Sequence, residues 1–234
     1  MLKAPLNLKK ARILLSNDDG IDAPGFKILE TIARTLSNEV WVVAPLTEQS
    51  ATGHSITLRR PLQILQQGEN KFAVDGTPTD CVLLAVNQIM KEWRPDLVLS
   101  GINQGRNVGE DMTYSGTIAA AMEATLFGIP AIALSQDMSV GDFRERRGNV
   151  TRKYAPAIAH AAKVIRKVTR VSWPRDVLMN VNFPAASKSP VAGIEVTREG
   201  RNKMGDEIIE NKDPRGNSYY WIGARQAASG YPKG

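Results

Sequence analysis

Asp18 and Asp19 stand side by side at the end of an apolar run, "ILLSNDDG", where like charges repel. Asn, Asp and Gly are turn residues, so a plain turn accounts for their types. A divalent cation bound at the pair accounts for their adjacency as well, because its charge offsets the repulsion and lowers both pKa values. Residue types leave the two readings equally open. Further oxygen-rich segments bear on the choice: "LTEQSATGHS" after Pro45, "GINQGRNVGED" after Ser100, and Ser135, Gln136 and Asp137 closing another apolar run. Two carboxylates, a serine hydroxyl and an asparagine carbonyl suit Mg²⁺, Mn²⁺ or Ca²⁺, hard cations that take oxygen. The sequence holds no His/Cys cluster of the kind that binds structural zinc.

A second signal is "DMTYSGTIAAAMEA". Ser115, Gly116 and Thr117 open a predicted helix, where free N–H groups, the positive dipole end and two hydroxyls suit an anion such as phosphate. A helix cap on a closely packed alanine-rich helix uses the same residues. "GINQGRNVG" adds flexible turns with Asn103, Arg106 and Asn107, but it lacks the Lys-Ser/Thr of a P-loop, and no G-x-G-x-x-G occurs. His54 lies in the polar loop, either as a surface hydrogen-bonding residue or as a substrate contact or proton carrier. His160 is expected to pack on a helix. Without a G-x-S-x-G elbow, Ser50 and Ser115 are poor acyl-transfer nucleophiles. Cys81, the single cysteine, sits in apolar "CVLLAV" and is expected to be a buried thiol.

Strands and helices must alternate to bring these segments together. "RILLS", "EVWVVAP", "PDLVLSG", "IPAIALS" and "VLMNVNFP" read as strands, with "LQIL" and "KFAVDG" as a small extended excursion. Between them, "GFKILETIARTLS" places Phe26, Leu29, Ile32, Ala33 and Leu36 on one helical face. "TPTDCVLLAVNQIMKEW" starts with a Thr77 cap, Pro78 in the first turn and Asp80 complementing the dipole. "SGTIAAAMEATLFG" ends at Gly128, and a single helix is expected over residues 150–169. This alternation predicts an α/β fold, a mostly parallel sheet between two helical layers, whose ligands gather at the carboxyl ends of the strands. After Pro184, "GIEVTR", "DEIIE" and "YYWIG" are short alternating segments split by turns such as "DPRGN", and predict a C-terminal antiparallel β extension. Residues 1–11 are read as a lead-in, 12–184 as the core and 185–234 as the extension.

The 234 residues suffice for a full core, and 42% hydrophobic with 23% charged residues is ordinary for a globular protein. No apolar run approaches the ~20 residues of a membrane span. The basic start "MLKAPLNLKKARILL" lacks the apolar region and cleavage site of a signal peptide, which points to the cytoplasm. A formal charge of +6 favours anionic partners. That excess is dispersed in "LKK", "RERR" and "KVIRKVTR", without the aromatic interleaving of a nucleic-acid module, so nucleic acid is not the expected partner.

The stretches "ILLSNDDGIDAPG", "VVAPLTEQSATGHSITL", "GTPTDCV", "LSGINQGRNVGEDMTYSGTIAAAMEA" and "DPRGNSYYWIG" together resemble the SurE family, the survival-protein-E nucleotidases, in order over roughly residues 12–223. The resemblance implies a Rossmann-like core with a C-terminal extension used in oligomer contacts, as a homodimer or homotetramer. It implies hydrolysis of nucleoside 5′- and 3′-monophosphates, with short polyphosphate as a side substrate, and one divalent cation per subunit, Mg²⁺ or Mn²⁺. Carried over by motif, the metal ligands are Asp18, Asp19, Ser50 and Asn103, with Asp18 and Asp19 also in the catalytic role. Asn107, Ser115, Gly116 and Thr117 hold the phosphate. Family members continue after "YYWIG" with an acidic segment and a further strand, where this sequence runs into "ARQAASGYPKG". The rival readings are a non-catalytic nucleotide or nucleic-acid binding protein, and an aspartyl-phosphate phosphatase of haloacid-dehalogenase type. The latter uses Asp-x-Asp spacing, which adjacent Asp18 and Asp19 do not provide.

Overall fold

The computed structural model describes residues 4–139, 141–142, 148–185, 190–201 and 207–223. These fall into two compact units, one comprising the chain up to Asn107 with Thr113–Glu195, the other Val108–Met112 with the chain from Val196.

The first unit is a seven-stranded sheet. Its strands are β1 (Arg12–Ser16), β2 (Glu39–Pro45), β3 (Ile64–Gly68), β4 (Lys71–Val74), β5 (Leu97–Gln104), β6 (Ala131–Gln136) and β7 (Met179–Phe183), in the spatial order β3-β4-β2-β1-β5-β6-β7. Every pairing is parallel except the β3–β4 hairpin, which forms the predicted extended excursion. The helices are α1 (Pro24–Leu36), α2 (Pro78–Leu84), α3 (Gly116–Leu126), α4 (Val150–Lys153) and α5 (Ala155–Val168).

Strand alternation divides the core between the two faces. Ile13, Leu15, Val40, Val42, Leu97, Leu99, Ile132 and Leu134 meet the apolar stripes of α1 and α5, including Phe26, Leu29, Ala33, Ala161 and Ile165. The intervening residues Leu14, Val43, Val98 and Ala133 are equally buried, on the side of α2 and α3. Both faces being covered explains why the strands read as continuous apolar runs.

Two helices depart from expectation. Residues 150–169 form α4 and α5 rather than one helix, because Pro156 lacks the N–H that an unbroken ladder requires, and the chain breaks at Tyr154. The helix after Thr77 does begin with the expected cap: the Thr77 hydroxyl accepts from the Asp80 N–H at 3.1 Å while the Asp80 carboxylate accepts from the Thr77 N–H at 2.9 Å. Beyond Leu84 it widens into a π turn over Ala85–Ile89, where the Met90 N–H reaches the Ala85 carbonyl at 2.7 Å.

In the second unit, β8 (Glu207–Lys212) and β9 (Ser218–Gly223) form an antiparallel hairpin. Asp213 closes its turn by accepting from the N–H groups of Arg215 and Asn217 at 2.8 and 2.9 Å, and Gly216 supplies a φ of +84°. "GIEVTR" is not a strand: it has no ladder partner among the described residues, and Val196 is almost wholly exposed. The "RERR" run and the residues after Gly223 lie outside the described residues. No described helix is long and apolar enough to cross a membrane.

One close approach fixes α1 against the sheet. A Cβ on Gly25 would lie 2.1 Å from the Ile102 carbonyl oxygen and 2.9 Å from the Tyr154 ring. Gly25→Ala is therefore expected to destabilise the protein by about 1–3 kcal/mol through overpacking, read as a lowered melting temperature. An unchanged melting temperature would mean that α1 moves freely on the sheet.

Candidate active site

The chain lays β2, β4 and β3 on one side of β1, then returns to the other side with β5, β6 and β7. Loops leaving β1 and β5 consequently diverge, and such a switch point opens a crevice at the carboxyl ends of the strands. Asp18 and Asp19 follow β1, and Asn103 lies at the end of β5. The register of β5 against β6 slips between Ser100 and Asn103. Within this slip Gly101 takes a φ of +131°, and a Cβ there would lie 2.2 Å from the Leu134 carbonyl oxygen. Only glycine fits that bend.

The turn reading of "NDDG" holds for its flanks. Asn17 Nδ2 donates to the Gly20 carbonyl at 2.8 Å, and Gly20 has a φ of +96° beside the Thr47 backbone. The loop after β2 then packs on this turn, with the Ile21 N–H donating to Pro45 and the Gln49 N–H donating to the Asp18 carbonyl, both at 2.8 Å.

Asp18 is 4% exposed and lies on the start of α3. Its carboxylate accepts from the Thr117 hydroxyl at 2.5 Å and from the Thr117 N–H. Gly116 is required here, since a Cβ would come 2.6 Å from Asp18 Cβ. Burial still pushes the Asp18 pKa up against these hydrogen bonds, and the Glu48 charge adds to the rise. Asp19 is pushed up to about 7, first by burial and then by the Asp18 charge, against the Gln104 N–H that donates to it. Burial and the Asp19 charge likewise raise the Tyr154 hydroxyl.

These facts test whether a cation fits. The charges acting on the two carboxylates come from acids, Glu48 and each other, so the crevice concentrates negative charge. The buried Asn17 Oδ1 accepts no hydrogen bond among the described residues. An all-oxygen donor set with surplus negative charge fits a hard divalent cation. Among the described residues no group of three His, Cys, Asp or Glu is arranged for a metal, so the remaining donors would be neutral oxygens.

The other expected residues occupy several places. Ser50 is exposed and donates to Glu48 Oε1 at 3.0 Å, one residue from the Gln49 N–H that holds Asp18. Asn103 Nδ2 donates to the Gly105 carbonyl at 2.9 Å. Ser115 caps α3 by accepting from the Ile118 N–H at 3.2 Å, so with Thr117 the helix start holds a protein carboxylate in this arrangement. Asn107 is buried and donates through Nδ2 to Ser135 Oγ at 2.9 Å. His54 Nε2 lies 2.8 Å from Oε2 of buried Glu123 on α3, and the Gly53 N–H donates to the Tyr114 carbonyl at 3.1 Å.

Sequence reasoning missed Glu48, Gln104 and Tyr154. Glu48 stood in plain view two residues before Ser50. The Gln104 backbone contact and the long reach of Tyr154 have no local signal.

The chain matches the family described as Survival protein SurE over residues 13–206. It is 59% identical over 216 residues to a 5'-nucleotidase SurE of Paramagnetospirillum magneticum, covering 92% of this chain and 80% of that protein. It is 54% identical over 220 residues to a 5'-nucleotidase SurE of Rhodospirillum rubrum, covering 94% and 82%. The crystal structure of a Sure protein from Aquifex aeolicus superposes with a TM-score of 0.75 at 39% identity, covering 91% of this chain and 82% of that one.

The raised Asp19 pKa makes a pH-dependent stability test. Folding lifts this acid from 3.8 to about 7, so the folded, metal-free protein binds the extra proton and loses stability as pH rises between those values. In EDTA at pH 8, Asp19→Asn is expected to gain about 2–3 kcal/mol over the parent protein, less than the full shift because Asp19 is not wholly enclosed. At pH 4 the gain should nearly vanish. Equal melting-temperature differences at both pH values would remove the buried-charge account.

Proposed function

The chain belongs to the survival protein SurE family, and on that premise we propose that it hydrolyses nucleoside 5′-monophosphates to nucleoside and phosphate, using a divalent cation in the Asp18–Asp19 crevice. The observation that carries this reading is the buried Asp18 carboxylate next to half-buried Asp19 at the switch point, with the charge of another acid, Glu48, acting on both. Asp18, Asp19, Ser50 and Asn103 are the proposed ligands. A bound Mg²⁺ or Mn²⁺ supplies the positive charge that polarises a phosphoryl oxygen and lowers the pKa of water.

The chain's own residues hold the geometry. The Thr117 hydroxyl and N–H hold the Asp18 carboxylate against the start of α3. The Gln104 N–H orients Asp19 from the end of β5. Asn107, with a second hydrogen on Nδ2 beyond the one given to Ser135, is proposed to bind a phosphate oxygen together with the Ser115–Thr117 segment. The motif resemblance supports extending the substrates to 3′-monophosphates and short polyphosphate, and the compartment to the cytoplasm. It also supports a homodimer or homotetramer built through the C-terminal extension, whose hairpin carries Tyr220, Trp221 and Ile222 in exposed positions.

Phosphate release from AMP is expected in Mg²⁺ or Mn²⁺, to vanish in EDTA and to return when the metal is restored. Asp19→Ala is expected to lower kcat/KM at least ~10²-fold while the protein stays folded. Nucleotide binding without release from any nucleotide or polyphosphate would make the protein a non-catalytic binder. Oxygen-18 from water in the phosphate of a single turnover would exclude an aspartate nucleophile that transfers its own oxygen.

A further inference from the structure

Among the described residues β7 is an edge strand of the sheet, and its sequence "MNVNF" places Asn180 and Asn182 two residues apart, on the same face. Polar residues at alternate positions of an edge strand ordinarily point to water. Here both reach one residue of the loop beyond β5. Asn182 Oδ1 accepts from the Asn107 N–H at 2.9 Å, and Asn182 Nδ2 donates to the Asn107 carbonyl at 3.0 Å. Asn180 Nδ2 donates to the same carbonyl at 2.9 Å. A single primary amide thus satisfies both backbone groups of Asn107, as a neighbouring strand would, and the second asparagine doubles the hold on its carbonyl.

The row that carries this clamp runs across the end of the sheet. Asn103 on β5 is in register with Ser135 on β6, and Ser135 is in register with Asn182 on β7. Asn107 folds back to this row, giving its side-chain N–H to Ser135 and its backbone to Asn182. Both backbone and side chain of Asn107 are therefore fixed from β6 and β7, whereas Asp18 and Asp19 are fixed from β1, α3 and Gln104.

We propose that Asn180 and Asn182 are positioning residues that hold Asn107 in its phosphate-binding orientation, and so set affinity for phosphate without acting on the metal ligands. This rests on the reading of Asn107 as a phosphate contact. Asn182→Asp keeps the shape and the acceptor but sets a carboxylate against the Asn107 carbonyl. Losing a well-aligned hydrogen bond corresponds to about tenfold in affinity.

The experiment measures binding of inorganic phosphate by calorimetry with Mn²⁺ present, beside Mn²⁺ binding alone and the melting temperature. Asn182→Asp is expected to weaken phosphate about tenfold and to leave Mn²⁺ affinity unchanged. Asn180→Ala, which leaves the Asn182 amide in place, should weaken phosphate by less. In the Asn107→Ala background Asn182→Asp should add nothing, since it acts through Asn107. The proposal is overturned by unchanged phosphate affinity in folded Asn182→Asp, by additive effects in the double variant, or by a parallel loss of Mn²⁺. It is also overturned if both β7 variants fail to fold, which would make the asparagines structural. Because the readout is binding, a wild-type protein that binds phosphate but does not turn over AMP would overturn the nucleotidase reading alone.

Discussion

The contact between Asp18 and the start of α3 ties the chemistry to the fold. A carboxylate removed from water needs compensation, and the N-terminus of a helix offers it through free N–H groups and the positive dipole end. Thr117 gives Asp18 both its hydroxyl and its N–H, and Gly116 leaves room for the approach. That compensation is partial, since the Asp18 pKa remains raised and Asp19 next to it carries a second charge. The fold therefore holds in place a pair of acids that it does not neutralise, and the deficit defines what the crevice can receive.

Three segments at the carboxyl ends of the strands are each held by a different part of the chain. The loop after β2 holds the Asp18 backbone through Gln49 and carries Glu48 and Ser50. The end of β5 holds Asp19 through Gln104. The loop beyond it is held from β6 and β7 at Asn107. Each of these groups sits at a carboxyl end of a strand, and the rigid sheet fixes their separations better than the loops could by themselves.

Much of this was legible in the sequence wherever the signal was local. The apolar runs mark β1, β2, β5, β6 and β7, the extended excursion covers β4 and the first residues of β3, the period of "FKILETIARTL" marks the buried face of α1, and Thr77 with Asp80 marks the start of α2. Pro156 lies inside the span 150–169 expected as one helix, and its missing N–H divides that span. "GIEVTR" has the composition of a strand, but pairing is a property of neighbours and not of the segment. At the site, position after a strand singles out Asp18 and Asp19, and the motif resemblance adds Ser50, Asn103 and Asn107 as proposed ligands and phosphate contact. What the sequence could not reveal was partnership. "SGT" reads alike whether its donors face a ligand or a protein carboxylate, and "NVN" reads as ordinary polar-out alternation although both amides hold a loop.

The switch point between β1 and β5 also sets an order of events during synthesis. The partners of β1 in α1 and β2 are close to it in sequence. The partner of Asp18, Thr117, lies 99 residues downstream. Until β5 and α3 have been made, the two aspartates end a strand whose far side is open, in water, where their repulsion costs little. Docking of β5 and α3 is the step that encloses both charges together. In a growing chain the acidic pair is thus made 99 residues ahead of the hydroxyl that holds it.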